Sequence, residues 1–209
     1  MNKQNIRQIE FFHDAVCGWC YVLSPRLRQL AKERQIEVVQ RCFVLQRSDE
    51  EMIERFGSLA QAKIEILNHW VACQQAADDK TLFNIERMRA QPFNYPSGYL
   101  AALGAKAAER LAGNEAHWDF FDEIQRLHLL VNDNIGELET LVTAAVNIGL
   151  DEAQFRLQFH ATETREAVEQ DLALARQYRI RSIPTIVIDG EQVISKALTH
   201  DELAQLFLN

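Results

Sequence analysis

Apolar positions change period twice along this chain. Residues 7–12 are rich in Ile and Phe without clean alternation, as in a strand buried on both faces. After Cys17 the period lengthens: Leu23, Leu27, Leu30 and Ala31 fall at helical spacing in a segment running to about Arg34. Lys32 and Arg34 sit where a last turn welcomes positive charge. Pro25 lies inside that segment and removes one backbone hydrogen bond, so a kink is expected there. Residues 36–45 read as a second strand, and strand, helix, strand at this spacing predicts a βαβ unit with a parallel pair.

Helical periodicity then takes over across residues 48–160. Ser48 followed by Glu51 forms a capping-box pattern ahead of Met52, Ile53 and Phe56. Further helices are expected over 58–77, 99–111, 118–130, 135–148 and 151–159, with 91–98 a loop marked by Pro92 and Pro96. Gly113 and Gly149 are helix stops, and Asp151 is an N-cap. The closing part mixes types: a helix over 163–178, a β-branched strand over 184–188, a turn at Asp189-Gly190, a returning strand over 192–195 and a helix over 200–208. The pattern therefore predicts an α/β domain built from residues 1–47 and 161–209, interrupted by an all-helical insertion over 48–160.

The chemistry concentrates in Cys17-Gly18-Trp19-Cys20, at the junction of the first strand and the first helix. Two thiols at this spacing on a helix N-terminus can form and break a disulfide. The first is expected to point outward, where unpaired backbone N–H groups favour a thiolate; the second is close enough to resolve a mixed disulfide. A zinc site would need a second close pair of ligands, and Cys42, Cys73 and the histidines supply none, so no metal is expected. His13 reads as a half-buried histidine at a strand end. Cys42 shares a strand face with Val38 and Val44, and Cys73 a helical stripe with Ile66 and Trp70, so both read as small buried hydrophobes. A regulatory bridge between them would need Cα atoms within about 7 Å. Glu10 and Asp14 are candidates for a proton-relaying carboxylate, but read more simply as solvated or paired. Trp118, Phe120 and Phe121 read as core.

Composition narrows the setting. The chain has 209 residues, 47% apolar and 25% charged, which is ordinary for a globular protein. Its net charge of −8 argues against nucleic acid or an anionic membrane as partner. No apolar run approaches a membrane span, and Met1-Asn2-Lys3-Gln4-Asn5 lacks a leader's apolar stretch, which points to the cytoplasm. A disulfide in that compartment is transient and catalytic rather than a staple.

The element order, with C-x-x-C opening the first helix, resembles the thioredoxin fold in its DsbA-like form, and in particular the FrnE-like cytosolic branch of the DsbA family. Its Cys-Pro-Trp-Cys-Tyr signature is similar to Cys17-Gly18-Trp19-Cys20-Tyr21; glycine replaces the proline. Ile183-Pro184-Thr185 resembles that family's cis-proline loop. The resemblance implies a thiol–disulfide oxidoreductase in which Cys17 attacks, Cys20 resolves, and Ile183, Pro184 and Trp19 meet the substrate, a disulfide-containing protein or small thiol. It implies no tightly bound cofactor, with the Cys17–Cys20 disulfide as redox centre and glutathione as co-substrate. Competing readings are a glutathione-dependent transferase or isomerase of the kappa or 2-hydroxychromene-2-carboxylate type, which lacks the paired cysteine, and a redox sensor or peptide-binding chaperone. Neither direction of reaction nor oligomeric state is legible.

Because no histidine lies between the cysteines, the couple is expected to be moderately reducing. Titration against glutathione should give a potential well below the value of about −120 mV that marks a strong oxidant; a potential near that value would refute the assignment.

Overall fold

A computed structural model describes residues 8–206; the expected strand start at Arg7, the segment Met1 to Asn5 and the expected helix end at Leu208 lie outside them. β1 (Gln8–His13), α1 (Gly18–Arg34) and β2 (Glu37–Cys42) form the βαβ unit, with Ile9 opposite Val38 and His13 opposite Cys42 in parallel register. β3 (Thr185–Ile188) runs antiparallel on the other side of β1, and β4 (Gln192–Ile194) completes the sheet in the order β2-β1-β3-β4. Asp189 and Gly190 join the last two strands with φ values of 50° and 75°, the positive pair that a tight hairpin turn requires.

β1 is central, which explains its irregular apolar pattern. Ile9 and Phe11 pack with Leu23 and Leu27 of α1 on one face, while Phe12 packs with Val187, Ala175 and Ile180 on the other. β2 is shorter than the expected 36–45. β1 ends at His13, so the ladder closes with the Phe43 N–H on the His13 carbonyl; the Leu45 N–H then turns to the Asp14 carboxylate, 2.8 Å away.

Between β2 and β3 lie α2 (Asp49–Phe56), α3 (Leu59–Ala76), α4 (Ile85–Ala90), α5 (Tyr99–Ala112), α6 (Asn114–Arg126), α7 (Leu138–Asn147), α8 (Glu152–His160) and α9 (Thr162–Gln177); α10 (His200–Gln205) follows the sheet. The Ser48 hydroxyl accepts the Glu51 N–H, but the Glu51 carboxylate reaches back to the N–H of Arg47 rather than that of Ser48. α4 and a short turn at Lys80–Leu82 escaped the periodicity because neither is long enough to show one. α6 begins at Asn114, before the expected 118, since Gly113 (φ 86°) ends one helix and starts the next without a linker. Its end widens into a π turn at Leu127–Val131. α7 begins late because Asn134 folds the chain into a local turn, its side-chain oxygen accepting the Gly136 N–H at 3.0 Å.

The helical block packs onto the sheet layer. Trp118 and Phe121 of α6 join the core beneath α1, and the Trp118 indole donates to Ser24 at 2.7 Å. A buried charge cluster ties β2, α5 and α9 together: Lys106 lies 2.7 Å from both Asp171 and Glu109, and Arg41 reaches Glu10 and Asp171. Arg26 of α1 holds Asp78 and the Ala76 and Leu198 carbonyls. Among the described residues no helix is long and apolar enough to cross a membrane.

Three histidines are fully enclosed, and burial pushes the pKa of each down: His13, His117, and His128, the last to about 3. A base depressed in the folded state binds fewer protons there than in the unfolded chain. Its stabilising share is complete above pH 6.5, the ordinary histidine value, and is lost as pH falls below it. Asp14, pushed up to about 6 by burial, works in the opposite direction between pH 6 and 4. Urea unfolding at pH 7, 6 and 5 should therefore show falling stability. His128→Phe should flatten the slope by up to about 1.4 kcal/mol per pH unit. An unchanged slope would show that His128 does not titrate with unfolding.

Candidate active site

The chain between β1 and α1 makes one tight reversal, and every side chain around it serves to hold it. The Cys17 N–H bonds back to the Asp14 carbonyl at 3.0 Å, and Cys17 caps α1. Its sulfur accepts the Cys20 N–H at 3.4 Å, one of the orphan donors of a helix start. From α6, the Gln125 amide donates to the carbonyls of Asp14, Ala15 and Cys17. From the loop before α5, the Tyr95 hydroxyl donates to the Val16 carbonyl at 2.9 Å and is itself held by the Trp70 indole.

Ile183 arrives from far along the sequence. The Cys17 thiol lies 3.8 Å from its carbonyl oxygen, a weak S–H donor contact, and the Ile183–Pro184 peptide is cis. The structure thus brings Cys17, Trp19 and Ile183 to the wall of one cavity, with Pro184 buried directly behind Ile183. Cys20 lies beneath, at 0% exposure, outside the lining.

One expectation needs correcting. Cys17 does not stand out on an open surface; it is 7% exposed, on the floor of a cavity of about 220 Å³. The segment leading into α2, the end of α2 and α3 supply Leu45, Phe56, Ile66 and Trp70 to the walls. Arg55 and His69, both exposed, join Gln46 and Tyr95 as the polar residues of a largely apolar lining.

Burial, the hydrogen bond to Cys17, and the charges of Cys17 and Asp14 all push the Cys20 thiol far above the ordinary cysteine value. Asp14 is neither solvated nor ion-paired. It is 2% exposed, its two oxygens accept the Val16 and Leu45 N–H groups, and burial raises it to about 6. The Gly98 backbone comes so close that a Cβ there would meet the Asp14 Oδ1 at 1.9 Å. Glu10 is paired, to Arg41 and to the Tyr178 hydroxyl. His13 is fully rather than half buried, stacked near Phe121 at 3.8 Å between ring centroids.

The other two cysteines part company. Cys42 sits in the interior, its sulfur 3.6 Å from the Ala102 carbonyl and 3.9 Å from His117 Nε2. Cys73 is buried as expected but lines the active-site cavity together with Ile66 and Trp70, so the stripe read as core is a cavity wall. Gln125, Tyr95, Arg55 and His69 were not anticipated. Their roles come from tertiary juxtaposition, and no spacing in the sequence announces it.

Comparison with known proteins agrees with this architecture. The chain is 26% identical over 190 residues to the ClpXP adapter protein SpxH of Bacillus licheniformis, covering 88% of this chain and 58% of that protein; it spans about 60% of the length of the curated adapter relatives it matches. The cytosolic disulfide reductase DsbM of Pseudomonas aeruginosa, solved alone and with GSH, superimposes with a TM-score of 0.73 at 19% identity, over 95% of this chain and 96% of that one. A 2-hydroxychromene-2-carboxylate isomerase superimposes at 0.64 and 14% identity, over 95% and 92%. The sheet, the inserted helices and the match to the DSBA-like thioredoxin domain over residues 8–207 show that this chain belongs to that family.

Proposed function

We propose that the protein is a cytoplasmic thiol–disulfide oxidoreductase acting on small or narrowly presented disulfides. One observation carries the reading: the Cys17 sulfur lies on a cavity floor, receives a helix-start N–H from Cys20 and faces the Ile183 carbonyl beside a cis-proline. Cys17 attacks as a thiolate, forming a mixed disulfide and releasing one substrate thiol; Cys20 then attacks the Cys17 sulfur and releases the other. Ile183 offers backbone hydrogen bonds to an extended substrate, Pro184 fixes that turn, and Trp19 packs on the bound chain.

Cys20 must lose a proton in an apolar interior, and the ionised Asp14 is the acceptor that its surroundings provide. A cavity of about 220 Å³ admits a glutathione-sized arm or an extended peptide more readily than a folded surface, and Arg55 and His69 suit a carboxylate-bearing thiol. The DsbM structure with GSH supports glutathione as co-substrate. The isomerase alternative is disfavoured by the Cys17, Cys20 pair. A binding role is the second reading, favoured by the adapter relatives.

Cys17→Ser should bring reduction of insulin and of oxidised glutathione to background, and Cys20→Ala should lower turnover. Full activity in Cys17→Ser would defeat the redox reading and leave the binding role in its place.

Asp14 accepts a proton only when ionised, so release of the second thiol should slow as pH falls through about 6. In Asp14→Asn that inflection should vanish and release should slow about 100-fold at pH 7. Stopped-flow thiol release across pH 5 to 8 measures both; an unchanged profile removes Asp14 from the mechanism.

A further inference from the structure

Cys73 is the second sulfur lining the cavity, beside that of Cys17, and the mechanism above leaves it idle. Its side chain descends from α3 onto the first turn of α1. A Cβ built at position 18 would lie 3.0 Å from the Cys73 sulfur and 3.3 Å from its Cβ. Cys73 is therefore packed against the residue that directly follows Cys17, on the first turn of α1.

Two further observations point the same way. Cys17 and Cys73 line the same cavity, and charge on Cys17 is felt at Cys73, whose thiol is pushed up to about 12, mainly by burial. Gly18 eases this approach, since a Cβ there would require Cys73 and Phe83 to give way by a few tenths of an ångström. The proline of the resembled signature would carry a Cβ into this sulfur and into Phe83, 3.2 Å away, whereas glycine leaves the space open. The departure at position 18 and the Cys73 thiol thus form one arrangement. Cys42, enclosed between Ala102 and His117, takes no part in it.

We infer that Cys73 is a second resolving thiol, able to collapse a mixed disulfide on Cys17 into a Cys17–Cys73 bridge. The inference rests on the reading of Cys17 as nucleophile. In the step, the Cys73 sulfur attacks the Cys17 sulfur of Cys17–S–S–R. The Cys17–Cys73 bond forms, the bond to R–S breaks, and the proton given up by Cys73 ends on the leaving R–SH. The substrate disulfide is the oxidant: it becomes two thiols as the two protein thiols become a disulfide. Cys20 then attacks the Cys17 sulfur from below, forming the Cys17–Cys20 disulfide and returning Cys73 to a thiol. A substrate that Cys20 resolves slowly is thereby still released.

The test uses oxidised glutathione as probe, with acid quenching, intact mass and peptide mapping. Cys20→Ala should take up a glutathionyl group only transiently and end as a species short of two hydrogens, with peptides containing Cys17 and Cys73 cross-linked. Cys20→Ala/Cys73→Ser should retain the glutathionyl group on Cys17, and Cys73→Ala in the same background should match it. A stable glutathionyl adduct on Cys20→Ala, with no cross-linked peptide, would overturn the role of Cys73 while leaving Cys17 as nucleophile. Absence of any adduct on Cys17 in all three variants would overturn the underlying reading as well.

Discussion

The reversal between β1 and α1 is the constraint on which the site depends. A strand and a helix meet there with almost no loop, so the backbone groups of residues 14–17 must find partners outside regular structure. They do so in an inserted helix, an inserted loop and the carboxylate that directly follows β1: Gln125, Tyr95 and Asp14. Each such hydrogen bond contributes only about 1 kcal/mol net, but leaving one buried donor or acceptor unmatched costs more. The turn that carries Cys17 is therefore positioned by parts of the chain about 80 to 110 residues away.

That dependence explains which features were legible in the sequence. Cys17 to Cys20, Pro184 and the order of elements are local signals, carried by spacing, turn chemistry and periodicity. The parallel strand pair and the hairpin at Asp189-Gly190 follow from the same signals. The cavity is not local. Ile66, Trp70 and Cys73 recur at helical spacing whether they face a packed core or a hollow, and only the tertiary arrangement distinguishes the two. Periodicity could not reveal that Asp14 is enclosed by amides and by Gly98 rather than solvated, because enclosure depends on what packs over a residue.

Covering the Cys17 sulfur changes what can reach it. A sulfur on an open helix end meets every thiol and disulfide in solution, whereas one at the base of a walled recess meets only what can enter. The helices that build the recess also bring Arg55 and a second sulfur, that of Cys73, to it, so the inserted segment limits access to Cys17 as well as supporting it.

The buried cluster of Lys106, Asp171, Glu109 and Arg41 has a consequence for how the molecule comes apart. Asp171 of α9 takes both Lys106 of α5 and Arg41 of β2, so detaching any one of these elements breaks at least one buried ion pair, and truncating such a pair costs about 3–5 kcal/mol. Sheet and insertion are therefore bound to melt as one cooperative unit, although the chain leaves the sheet and returns to it more than a hundred residues later. A trimmed version keeping only the strands would leave Arg41 with Glu10 but without Asp171, along with the missing helices.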